Sequence, residues 1–127
     1  MDARVRLPIR DDPPPPGDWL VLRGGLVNST SLRAAANRSV GLFAMPLISV
    51  VIVDASGTER ALQSAVLRIY RVVGIVSVKE VLGSGFELLP TFRTPHYSAL
   101  LPDTSNASVD KLVDIFKKKV ENPFCER

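Results

Sequence analysis

Leu47-Ile-Ser-Val-Val-Ile-Val53 is the stretch that decides the class of fold. Five of its seven residues are β-branched and only Ser49 is polar. Pro46 precedes it and Asp54 follows it. A continuous apolar run of this length is too short for a core helix. Its branched side chains stiffen χ1 in a way that suits a pleated surface, so the run predicts an interior strand covered on both faces.

Reading outward, Trp19-Leu-Val-Leu-Arg23 predicts a first strand, ended by Gly24-Gly25. Asn28-Ser29-Thr30-Ser31 offers several N-caps for a helix of about three turns. Leu32, Ala35, Ala36, Val40 and Phe43 supply that helix's apolar face, and Gly41 is expected to end it. After the central run, Ser56-Gly-Thr-Glu59 has the spacing of a capping box. It opens a helix whose face is Leu62, Ala65, Val66, Ile69 and Tyr70. Arg71 to Val76 predicts a strand with Gly74 as a bulge. Ser77-Val-Lys-Glu80 repeats the capping pattern for a short helix stopped by Gly83 and Gly85. Phe86 to Leu89 and His96 to Leu101, joined by a proline-containing link, predict an antiparallel hairpin. Ser108 is expected to cap a last helix carrying Val109, Leu112, Val113, Phe116 and Val120, with Pro123 ending it. The order β-α-β-α-β-α-β-β-α predicts one α/β or α+β domain. Its mixed sheet has about five strands, closes with a C-terminal hairpin and is covered by helices.

Residues 1–17 are set apart as a proline-rich leader, with the domain proper at residues 18–127. Asp11-Asp12 runs into Pro13 to Pro16 and Gly17. Four successive prolines hold a polyproline II rod. The leader is expected to lie outside the core, so that its removal leaves thermal stability nearly unchanged.

The 127 residues carry 16 basic and 13 acidic side chains, a formal charge of +3. That suits one domain with an aliphatic core and is far from a polybasic nucleic-acid arm or membrane anchor. One cysteine, Cys125, and one histidine, His96, exclude an intrachain disulfide and a Cys/His zinc site. No run approaches the ~18 apolar residues of a membrane span, and the N-terminus has no apolar signal region. The expected compartment is the cytoplasm. No glycine-rich phosphate loop or other cofactor motif is present, so no cofactor is expected.

Three positions carry candidate chemistry. Thr91-Phe-Arg93-Thr-Pro-His96-Tyr97-Ser98 gathers a guanidinium, hydroxyls, a phenol and the only imidazole. There Arg93 and Tyr97 are expected to hold an anion, and His96 to act as general acid or base. Arg23, at a strand end before two glycines, is a second anion ligand. Asp54 lies past the carboxyl end of the central strand, where open sheets place ligands. Lys117-Lys118-Lys119, with Arg33, Arg38, Arg68, Arg71, Arg93 and Arg127, forms the basic surface through which nucleic acid would be contacted.

No catalytic motif is complete. The leading expectation is therefore an interaction subunit that binds a partner chain or a second copy of itself through a sheet edge or an apolar helix face. The alternative is a small toxin-like or effector enzyme acting on RNA or a phosphorylated nucleotide. Arg23 on the first strand and His96-Tyr97 later on also resemble ADP-ribosyltransferases, with Glu87 or Asp103 as the acidic residue. That resemblance covers these few residues and not the chain; it implies an NAD-dependent transferase.

Overall fold

The computed structural model describes residues 6–126. Strands are β1 (Leu20–Gly24), β2 (Leu47–Val53), β3 (Val72–Ser77), β4 (Glu87–Leu89), β5 (His96–Leu100) and β6 (Lys118–Glu121). Helices are α1 (Ser29–Phe43), α2 (Thr58–Gln63), α3 (Val78–Gly83) and α4 (Asn106–Ile115). The strands form a single sheet in the order β4-β5-β2-β1-β3-β6. The α+β class holds, with helices covering one six-stranded sheet. Every neighbouring pair is antiparallel, so the sheet contains no parallel pair where a mixed one was expected.

β2 lies inside the sheet between β1 and β5, as its apolar run requires. Its alternate residues serve two cores. Ile48, Val50 and Ile52 pack with Val21, Tyr97, Leu32 of α1 and Leu112 of α4. Val51 packs on the opposite face with Leu22, Leu62 and Leu67. Asn28 caps α1 by accepting from Ser31 N–H at 2.9 Å. The helix runs through Gly41 and ends when Ala44 turns left-handed at φ 64°. Ser77 caps α3 through Glu80 N–H, as its capping pattern predicts.

Four further local expectations are corrected. Ser56 does not cap α2; Asp54 holds a 3₁₀ turn at Ala55–Gly57, accepting from Gly57 N–H and the Ser56 hydroxyl. α2 stops at Gln63, where the Ser64 hydroxyl bonds the Ala61 carbonyl at 2.6 Å, and Val66, Ile69 and Tyr70 stand exposed on the following turn. Gly74 sits in regular register, not in a bulge. A Cβ there would lie 2.8 Å from Val27 and 3.2 Å from the Phe116 ring, so the glycine serves close packing. The last helix is capped by Ser105 and ends at Ile115; Lys118–Glu121 then adds an edge strand to β3, so Val120 lies on a strand.

None of residues 6–17 is buried, yet the segment is tied down. Ile9 bridges Thr91, Arg10 N–H donates to the Pro90 carbonyl at 2.7 Å, and Phe92 N–H donates to Pro8 at 3.0 Å. The Arg10 guanidinium then bonds three carbonyls of one loop: Thr91 at 2.7 Å, His96 at 2.8 Å and Phe92 at 3.3 Å. Its carbon lies 5.1 Å from the Tyr97 ring centroid. Among the described residues, no helix is long and apolar enough to cross a membrane.

Candidate functional site

The site begins where two strands part. β1 and β2 pair only from Leu20↔Val53 to Leu22↔Val51. Beyond that, β1 stays with β3 through Gly24↔Val73, and Gly25 N–H donates to Val72. The first half of β2 is left without a ladder partner on that side. The Arg23 side chain enters the gap and its Nη1 donates to the Ser49 carbonyl at 2.8 Å, supplying the bond a neighbouring strand would have made. Ser49 is correspondingly exposed in mid-strand.

Two cavities meet at this Arg23–Ser49 floor. One, of about 100 Å³, is walled by Leu67, Val66, Tyr70 and His96. The other, of about 170 Å³, is walled by Arg38 and Leu42 of α1, by Phe43 and by Phe92. The Tyr70 ring lies against Gly24 so closely that a Cβ there would stand 2.1 Å from Cδ2. Among the described residues, eight large apolar side chains are exposed. Four of them, Leu42, Val66, Tyr70 and Phe92, rim these two cavities.

Burial lowers the Arg23 pKa, with the nearby Arg38 charge adding to the effect and Tyr70 opposing it. Arginine starts so high that the group stays cationic. Among the described residues, neither Arg23 nor Arg38 has a carboxylate within salt-bridge distance.

His96 is fixed from behind. Its Nδ1 lies 2.9 Å from the Thr91 hydroxyl and 3.1 Å from the Thr91 carbonyl. In the tautomer with its proton on Nδ1, that proton goes to the Thr91 carbonyl and a lone pair is left on Nε2. The fully buried Thr91 passes the network on to Ser98 at 2.7 Å. Phe92 packs edge-on against the imidazole, with ring centroids 5.1 Å apart. Burial pushes the His96 pKa below its ordinary value of 6.5; the Arg10 charge acts in the same direction, while the bond to Thr91 opposes them. The ring is therefore neutral at pH 7.

Of the residues singled out from the sequence, Arg23 and His96 share one cavity. Arg93 does not join them: it is exposed in the turn before Pro95, where its carbonyl accepts from His96 N–H. Tyr97 points into the other core beneath Arg10. Lys117 to Lys119 lie at the far edge strand, and Asp54 is spent on its turn. Glu87 and Asp103 line neither cavity. Asp103 instead caps the loop before α4, where hydroxyls of Ser105 and Ser108 hold its carboxyl below the usual range. Arg38 was read only as one of the basic residues facing nucleic acid, and Ser49, Tyr70 and Phe92 were not legible as site residues. The exposed serine inside an otherwise apolar strand was the one local signal. Among the described residues, no three His, Cys, Asp or Glu side chains cluster as a metal site. The chain matches no protein-family model, no curated protein and no solved structure.

Proposed function

We propose that the protein is an interaction subunit whose partner-binding surface is the groove over Arg23 and Ser49. The observation that carries this is the rim. Half of the exposed large apolar side chains of the described chain gather around one cationic floor, and such patches mark binding surfaces. The sheet edges serve this reading less well. β4 has three residues and runs into Pro90, and β6 presents lysines, both of which discourage strand addition. The partner fitting such a groove is a protein segment with apolar side chains on either side of an acidic group. Panning a random-peptide phage library against the full chain tests the reading. Enriched peptides should bind at least tenfold more weakly to Tyr70→Ser and Phe92→Ser variants that keep the wild-type melting temperature. No enrichment, or equal binding to the rim variants, would overturn it.

A second reading is a small enzyme acting on RNA or a phosphorylated nucleotide. It is favoured by Arg23 and the neutral His96 lining one cavity, with Nε2 free to take a proton. His96→Ala should then lower turnover about a hundredfold, the usual contribution of a general base. Equal turnover in both proteins on RNA and nucleotide substrates would end this reading. The NAD-dependent transferase has less support, because no described carboxylate lines the cavities to orient a ribose.

A further inference from the structure

We infer that the larger cavity of the groove is a site for a phosphate monoester carried on an aromatic or similarly apolar group. Arg23 and Arg38 take the phosphoryl oxygens, and Phe43 and Phe92 flank the organic substituent. This deepens the partner-binding reading and rests on it for the groove being the ligand surface.

The inference follows from the inventory of polar groups. Arg23 has one bond, from Nη1 to Ser49, which orients the guanidinium and leaves its other N–H groups unengaged among the described residues. Arg38 makes no side-chain hydrogen bond among the described residues, whereas Ser39 and Ser98, which also line the cavity, are already engaged. What remains toward the cavity is donors, with two positive charges and no described carboxylate. A carboxylate offers two oxygens and one charge. A phosphate monoester offers three oxygens and close to two charges near neutral pH, which matches two guanidiniums. Arg23 and Arg38 both line this one cavity, and a dianion there relieves the repulsion between their charges. The volume of about 170 Å³ also fits. A cavity of about 150 Å³ is known to hold benzene.

The probe is phenyl phosphate, titrated into the full chain with backbone amide shifts as the readout. Phenyl sulfate (one charge), phenylacetate (a carboxylate) and inorganic phosphate (no ring) serve as comparators. Phenyl phosphate should bind best, with shifts concentrated at Arg23, Arg38 and Ser49, and affinity should rise through pH 6 as the second phosphate proton leaves. Arg38→Gln is an exposed change that spares the fold, and it should weaken binding at least tenfold. A phosphotyrosine peptide binding tighter than phenyl phosphate would place the ester on a protein partner, and equal affinity would place it on a small molecule; either supports the site if Arg38→Gln abolishes the preference. Phenyl phosphate binding no better than phenyl sulfate, or unaffected by Arg38→Gln, overturns the inference. Peptides that depend on the rim but show no response to phosphate leave the partner-binding reading standing and remove only this one.

Discussion

Replacing Arg10 with methionine tests how a chain segment with no buried residue can hold a site in place. The guanidinium makes two short charge-assisted bonds, to the Thr91 and His96 carbonyls, and a longer one to Phe92. Its side chain is only 16% exposed, so water shares little in these contacts. Two such bonds at roughly 1.5 kcal/mol each, with about 0.5–1 kcal/mol from the cation facing the Tyr97 ring, set the gross loss. Rehydration of the released carbonyls returns part of it, as does removal of Arg10 Nη2, which is buried with no hydrogen-bond partner. A net loss of about 2.5 kcal/mol remains. With an unfolding entropy of ~2.1 cal/mol/K per residue, that lowers the melting temperature by about 9 °C. Deleting residues 1–12 should cost at least as much, against the near-zero effect that composition alone predicts. Asp12→Asn removes only the ion pair at the segment's rim and should cost less than about 1 kcal/mol. Differential scanning calorimetry reads the stability. Amide exchange at Phe92, whose N–H is held by Pro8, reads the loop. An Arg10→Met protein melting within 2 °C of wild type, with Phe92 still protected, would refute the clamp.

Three further outcomes are expected. Ile48→Asp places a carboxylate in a position with no exposure, among Ala36, Ala99 and Leu112, and should cost more than about 4 kcal/mol; a cooperative melt near the wild-type temperature would contradict the interior placement of β2. His96 has a depressed pKa in the fold, so the stability it contributes is complete above pH 6.5 and is lost as pH falls through the lower folded value; the decline in melting temperature from pH 7 to 5 should be shallower in His96→Gln, and identical slopes would count against it. Gly24→Ala must displace the Tyr70 ring, which is partly exposed and free to swing, so peptide binding in the groove should fall while melting shifts by only a few degrees; unchanged binding would show that Tyr70 is not part of the wall.

The parts of the fold legible in the sequence are those whose cause is local. β2 is written in its branched residues, α1 in Asn28 and its apolar spacing, and α3 in the Ser77–Glu80 box. The parts that were not legible have causes at long range. Val120 satisfies the helical spacing of α4 as well as any residue does. What ends the helix is the pairing of Lys118 to Glu121 with β3, fastened by Asn122, whose buried side-chain amide donates to the Leu62 and Leu67 carbonyls. No window of sequence around Val120 contains those partners. The apolar side chains of Val66, Ile69 and Tyr70 fit the period of a longer α2, but Ser64 breaks the helix and the turn exposes them. Arg23 was legible as a candidate because it closes an apolar strand before two glycines. Its role in the gap was not, because that depends on β1 keeping β3 and releasing β2.

The gap in the sheet accounts for both the shape of the site and its dependence on the N-terminal segment. An antiparallel sheet with full ladders would bury Ser49 under a neighbouring strand and leave no room for a ligand. Here β1 and β2 separate after three residue pairs, and a single arginine spans the opening, so the backbone acceptor is satisfied while the cation stays within reach of the cavities. A gap of this kind needs walls supplied by other elements. α1 gives Arg38 and Leu42, the turn after α2 gives Tyr70, and the Thr91–His96 loop gives Phe92 and His96. The first two are anchored through the two hydrophobic cores. The third is mostly exposed and contains Phe92 at a positive φ of 60°, a conformation that a bulky residue adopts only when its surroundings impose it. Arg10 imposes it from outside by collecting the loop's carbonyls, and Thr91 does so from within through His96 and Ser98. The segment that composition marks as a leader is thus the outer half of the support for one wall of the site, and ligand binding should fall with its removal even under conditions where the sheet remains folded.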